Sequence, residues 1–176
     1  QLDKLLRTVL FNKKLKIFIR ISTTEGYGSS SDGLNMSEEH PLNPMSPYAA
    51  AKCGADRMVY SYSKTYGLPS VIIRPFNNYG PKQHLEKLIP RMICCGILNK
   101  EFKVHGDGLA SRDYIHVIDT CNAILKLVDN YSSINEVEVY NIGSDSSISV
   151  INILNKIQNH FTTIIKLKQI KTIPGK

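Results

Sequence analysis

No apolar run in the 176-residue chain approaches the roughly 20 residues that a membrane-spanning helix requires, so no such helix is expected. The first eleven residues place Leu2, Leu5, Leu6, Val9 and Leu10 at helical spacing. They lack the basic-then-apolar order of a signal peptide, and no export signal is read there. Cysteine is sparse: Cys53, Cys94, Cys95 and Cys121 form no Cys-x-x-Cys pair and have no accompanying histidine cluster. That pattern indicates neither a zinc site nor a disulfide framework, predicts no metal, and fits a reducing cytoplasm. Aromatic interleaving is also missing from the basic residues. The formal charge of +7 is spread over Lys4, Lys13, Lys14, Lys16, Lys64, Lys82, Lys87 and the lysines of 156–176, so nucleic acid and membrane are not expected as partners. The 42% hydrophobic content suffices for one substantial core.

Periodicity and punctuation give the order of elements. Residues 1–11 read as an amphipathic helix and Leu15–Ile21 as a mostly buried strand, which delivers Ser22–Glu25 at its C-terminal end. Ser29–Pro47 is a loop rich in Ser, Gly, Asn and Pro. A helix over Pro47–Tyr66 closes at Gly67, and Ser70–Arg74 is a short apolar strand of the buried parallel type. Beyond it we expect a helix over 85–98 interrupted by Pro90, a strand over 102–105, a helix over 117–130, a strand over 138–142, a helix over 150–161 and a strand over 164–170. Strand, helix, strand at this spacing is α/β with a parallel sheet.

Ser46-Pro47-Tyr48-Ala49-Ala50-Ala51-Lys52 places a phenol and an ammonium at i and i+4, on one face near a helix start. Ser46 suits the N-cap and Pro47 the first turn, and the alanines leave that face free of bulk. A nearby ammonium favours the phenolate, so Tyr48 can accept a proton from a hydroxyl group. Upstream, Ser22-Thr23-Thr24-Glu25-Gly26-Tyr27-Gly28 adds hydroxyls and a carboxylate at a strand's carboxyl end, where parallel sheets bind ligands. The same pairs also occur on ordinary solvated helix faces, so the spacing alone is weak.

Four stretches together resemble the extended short-chain dehydrogenase/reductase family, specifically its NAD-dependent nucleotide-sugar epimerases and dehydratases. They are Ser22–Gly28, Ser46–Lys52, Arg74-Pro75-Phe76-Asn77-Asn78-Tyr79-Gly80-Pro81, and Gly106-Asp107-Gly108 with Arg112-Asp113, in the family's order and covering about Lys16 to Gly143. The resemblance begins in the middle of the family pattern. No strand with a Gly-rich turn to cradle a pyrophosphate precedes Ser22, so a fragment of a longer enzyme is expected. The implied fold is a partial Rossmann-like parallel sheet lacking its N-terminal Gly-rich half, in residues 1–84. A smaller α/β substrate-binding region, in 85–176, would return strand 138–142 to the main sheet.

By this resemblance Ser22, Tyr48 and Lys52 contact NAD. Thr23 hydrogen-bonds the sugar 4-hydroxyl, Tyr48 removes its proton, and Lys52 both tunes Tyr48 and holds the nicotinamide ribose. Glu25 acts as general base, while Asn78 and Arg112 bind the nucleotide-diphosphate sugar. Arg112 could instead pair with Asp113 or Asp107, and Glu25 could be a solvated loop residue. Two positions depart from the pattern. Thr24 stands where dehydratases often carry Asp, and a hydroxyl is a poor acid, so Glu25 or a water would have to protonate the leaving group. Gly26 replaces a usual Val and is expected to loosen the backbone there. His105, His116 and the methionines read as structural, and Asn141 receives no catalytic role.

The expected activity is a 4,6-dehydratase, because Glu25 marks that branch. The alternatives are a 4-epimerase or uronate decarboxylase of the same family, or an inactive dimerisation module. Helices 1–11 and 47–66 are expected to form a homodimer.

Overall fold

The computed structural model describes residues 1–29, 36–160 and 165–170. Parts of the expected 29–47 loop, the last residue of the 150–161 helix and the first of the 164–170 strand lie outside them. The elements run α1 (Leu2–Leu10), β1 (Phe18–Ile21), a 3-10 turn (Thr24–Tyr27), α2 (Pro47–Tyr66), β2 (Ser70–Pro75), β3 (Asn77–Tyr79) and α3 (Leu88–Ile97). They continue with β4 (Phe102–His105), β5 (Ser111–His116), α4 (Val117–Asp129), a 3-10 turn (Tyr131–Ser133), β6 (Glu138–Ile142), β7 (Ser147–Ser149), α5 (Val150–Gln158) and β8 (Leu167–Ile170).

The residues pack as two units, 1–76 with 119–142, and 77–118 with 143–176. The division falls at Phe76/Asn77 where the sequence suggested 84/85, and residues 119–137 join the first unit together with β6.

In the first unit β2 lies between β1 and β6, parallel to both, with Ile19 opposite Val71 and Ile72 opposite Val139. Val71, Ile72 and Ile73 are fully buried, as a central parallel strand covered on both faces requires. Each such side chain contributes about 1.5–3 kcal/mol relative to exposure. The stripe Leu2, Leu6, Val9 and Leu10 of α1 packs on Val59, Met58 and Tyr62 of α2. Tyr62 Oη donates to Asp3 Oδ1 at 2.6 Å, and Arg7 Nε donates to Asp3 Oδ2 at 2.9 Å.

Local signals set the limits of α2. Ser46 Oγ accepts the Ala49 N–H at 3.1 Å, Pro47 occupies the first turn, and Gly67 ends the helix at φ 68° with its N–H on the Ser63 carbonyl. Pro90 does not interrupt α3. The helix begins at Leu88, which puts Pro90 among the first-turn positions whose N–H has no helical partner.

In the second unit β3 pairs parallel to β5, which pairs antiparallel to β7, and β4 pairs parallel to β8. Met92, Phe102, Val104, Ile153, Leu154 and Ile165 form its core. The sequence reading had none of β3, β5 and β7. Asn77-Asn78-Tyr79 and Ser147-Ile148-Ser149 are too short and polar to announce strands, and they extend only because distant partners pair with them.

Candidate active site

Ser22 follows the last residue of β1, and its N–H donates to the Ile73 carbonyl at 2.7 Å, which fixes the chain as it leaves the sheet. The Ser22 side chain is buried, and its Oγ has no hydrogen-bond partner. A buried hydroxyl without a partner is costly unless something else meets it. Thr23 caps the 3-10 turn, accepting the Glu25 N–H on Oγ1 at 3.3 Å. Thr24 directs its hydroxyl to the Pro75 carbonyl at 3.5 Å, and Glu25 is exposed.

From the helix side, Tyr48 and Lys52 share one face: Lys52 Nζ lies 5.8 Å from the Tyr48 ring centroid. The Tyr48 ring is 54% exposed. Lys52 Nζ donates to the Ile21 carbonyl at 3.2 Å, leaving its remaining two donors for other groups. Ser22, Thr23, Thr24 and Glu25 thus follow the residue that Lys52 grips. A hollow of about 570 Å³ elsewhere in the unit, against α4, is lined by Asp119, Asn122 and Lys126 among others, and contains none of these residues.

Behind the turn lies a polar network that the sequence did not disclose. The Arg74 side chain is almost wholly buried. Its Nη1 donates to Tyr27 Oη at 2.8 Å and its Nε to Asp56 Oδ2 at 3.2 Å. Burial, the largest influence, opposes its charge, but Tyr27 and Asp56 together raise the guanidinium above its ordinary value. Arg20 Nε stands 3.9 Å from Asp56 Oδ1. Tyr27 Oη donates to Asn141 Oδ1 at 2.8 Å, while the Asn141 side chain and backbone N–H donate to the Met36 carbonyl and Glu38 Oε1. Asn141 therefore anchors the far end of the Ser22–Gly28 stretch to β6. The available signals were Tyr27 and Arg74, both inside the motifs.

Gly26 is buried, and its carbonyl accepts the Asn43 N–H at 2.9 Å. The freedom expected from its missing side chain is taken up by packing.

In the second unit Asn78 lies on β3 opposite Ile115, and its carbonyl accepts Gln83 Nε2 at 2.8 Å. Arg112 is exposed on β5 and donates Nη1 to the Ser111 carbonyl at 2.8 Å. Neither acid considered for it is its partner. Asp113 accepts from Ser144 and the Asp145 N–H, and Asp107 accepts the Leu109 N–H. His116 accepts the Ile118 N–H on Nδ1 and meets Tyr79 edge-on at 5.3 Å, a structural role. All four cysteines are free, and no metal-binding cluster occurs among the described residues. Nor is any helix among them long and apolar enough to cross a membrane.

Known proteins share this fold. A dTDP-D-glucose 4,6-dehydratase of Dictyostelium discoideum is 40% identical over 158 residues, covering 84% of this chain and 36% of the relative. The crystal structure of dTDP-glucose 4,6-dehydratase from Bacillus anthracis in complex with NAD matches with a TM-score of 0.86 and 36% identity, over 98% of this chain and 54% of that one. UDP-glucuronic acid 4-epimerase from Bacillus cereus, in complex with UDP-glucuronic acid and NAD, matches with a TM-score of 0.92 and 28% identity, over 99% of this chain and 55% of that one. The chain thus spans about half the length of these structures or less of its relative. The family model for the NAD dependent epimerase/dehydratase family matches residues 3–143, and the chain belongs to that family.

Proposed function

We propose that this chain is the catalytic and substrate-side part of an NAD-dependent nucleotide-sugar 4,6-dehydratase. The observation that carries the reading is the placement of an exposed carboxylate, Glu25, on the turn whose preceding strand end is bonded to Lys52, with Tyr48 on the same helix face.

Ser22, Tyr48 and Lys52 suit the nicotinamide riboside of NAD. The buried, partnerless Ser22 Oγ and the two remaining Lys52 donors supply the polar contacts a ribose needs. Bound NAD supplies reversible hydride acceptance at the sugar carbon. Tyr48 takes the proton of the C4 hydroxyl as C4 is oxidised, and Thr23 orients that hydroxyl. The resulting 4-keto group acidifies C5, and Glu25 removes the C5 proton. The Thr24 hydroxyl is no strong acid and is directed at the Pro75 carbonyl, so the proton that lets C6 hydroxide leave as water comes from Glu25 itself. Return of the C4 hydride to C6, with a proton reaching C5 from solvent while Tyr48 gives up to solvent the one it took, would complete a 4-keto-6-deoxy sugar. Asn78 and Arg112 hold the nucleotide diphosphate, for which the exposed Arg112 fork is suited.

A homodimer through the outer faces of α1 and α2 accompanies this reading, since Leu5, Phe11, Tyr60 and Tyr66 remain exposed after α1 has packed its own stripe on α2. Free cysteines fit a cytoplasmic enzyme.

Incubating the complete enzyme with thymidine- or uridine-linked glucose is expected to give the 4-keto-6-deoxy product; an unaltered C6 overturns the reading. The likeness to the epimerase favours C4 epimerisation as the second reading. Glu25→Gln separates them: dehydration collapses in that variant, whereas epimerisation depends on Tyr48 and survives.

A further inference from the structure

Two neighbouring residues of α2 hold the catalytic stretch at its two ends. Lys52 Nζ bonds the Ile21 carbonyl at 3.2 Å, and Cys53 Sγ lies 3.7 Å from the Gly26 carbonyl, within reach of a thiol donor. Between those carbonyls are Ser22, Thr23, Thr24 and Glu25 and no other residue. A Cβ added to Gly26 would stand 2.7 Å from Cys53 Sγ and 3.4 Å from Leu42 Cδ2, so the sulfur fills the space a side chain at 26 would need. Cys53 is buried one turn beyond Ala49, which is also buried, so this side of α2 meets the turn closely.

We propose that Cys53 is a positioning residue, which acts through Gly26 to set the distance between the Glu25 turn and the helix face bearing Tyr48 and Lys52. Sulfur and glycine are size partners: each is tolerated because of the other. The Cys53 thiol does no chemistry itself. Burial, and next the Asp56 charge, raise it above its ordinary value, which keeps it a neutral donor.

The structural arm of the test needs no turnover. Amide exchange is expected to accelerate in Cys53→Ala at residues 22–28 while β2 and the rest of α2 keep their protection, and Cys53→Ser, which retains a donor, restores it. Gly26→Ala is expected to lower the melting temperature in the native background and to be much better tolerated beside Cys53→Ala, where the sulfur is gone. The kinetic arm rests on the dehydratase reading. There Cys53→Ala is expected to lower kcat about tenfold with KM for the nucleotide sugar little changed, as small misplacement of reacting groups does. Exchange in Cys53→Ala that is unchanged, or raised equally throughout β1 and α2, overturns the positioning role, and so does Gly26→Ala that is equally harmful in both backgrounds. Localised exchange in a complete enzyme that leaves C6 unaltered upholds the positioning role and sinks only the reaction assigned to it.

Discussion

Lys52 Nζ donates to the Ile21 carbonyl at 3.2 Å, so the ammonium one turn beyond Tyr48 is also the tie between α2 and the end of β1. Lys52→Met removes charge and tie together. Turnover of the complete enzyme is expected to fall about 10²–10⁴-fold, with weaker NAD binding by calorimetric titration. Lys52→Arg keeps the charge but not the shape, and is not expected to restore turnover. Unimpaired turnover in the Met variant would remove Lys52 from the catalytic machinery.

Tyr48 presents more than half of its surface to solvent and belongs to neither core cluster. Tyr48→Phe is therefore expected to change stability by less than about 0.5 kcal/mol. Its turnover should still drop about 10²–10⁴-fold, the range for loss of a positioned proton acceptor. Urea unfolding beside a product assay separates the two effects; equal losses in both would make the phenol a packing group.

Asp56 and Arg74 are a buried ion pair with the Tyr27 hydroxyl as a further partner. Removing one member strands the other charge, so Asp56→Ala or Arg74→Met should cost about 3–5 kcal/mol. The double variant Asp56→Leu/Arg74→Met should lose less than the sum, because the Arg74–Asp56 pair goes together and only Arg20, 3.9 Å from Asp56 Oδ1, loses a partner. Additive losses in urea melts would show that the two groups act independently.

The Asp3 carboxyl is held below its ordinary range, first by the Tyr62 hydroxyl and also by Arg7, while Asp3 raises Tyr62 above its own. A lowered carboxylate contributes stability above its unfolded value, and that contribution is lost as pH falls through the folded value. For the raised phenol the contribution is complete below its unfolded value and is lost as pH rises through the folded one. Tyr62→Phe should therefore flatten both limbs of the stability profile, below about pH 4 and above about pH 10. A profile unchanged by Tyr62→Phe would separate the α1–α2 tie from pH dependence.

How much of this was legible depends on the range of the forces. Ser46, Pro47 and Gly67 fix both ends of α2 within a turn of themselves, so that helix could be read to the residue. The apolar run of β2 likewise announced a buried parallel strand. By contrast β5, Ser111–His116, shows mixed polarity and is a strand only because β3 and β7 flank it. Pro90 looked like an interruption until the helix start placed it where no N–H is missed.

The same contrast divides the site. Residue identities at 22–25, 48 and 52 suggest the proposed chemistry, because a phenol, an ammonium and a carboxylate are the groups that proton transfer at a sugar carbon requires. The tertiary structure alone decided that Lys52 reaches Ile21 and Cys53 reaches Gly26, contacts that span 31 and 27 positions of sequence. It also decided that Tyr27, Arg74, Asp56 and Asn141 form one hydrogen-bonded network. Hydrogen bonds and steric exclusion act over a few ångströms in space, and distances along the chain do not carry that information until the sheet has formed.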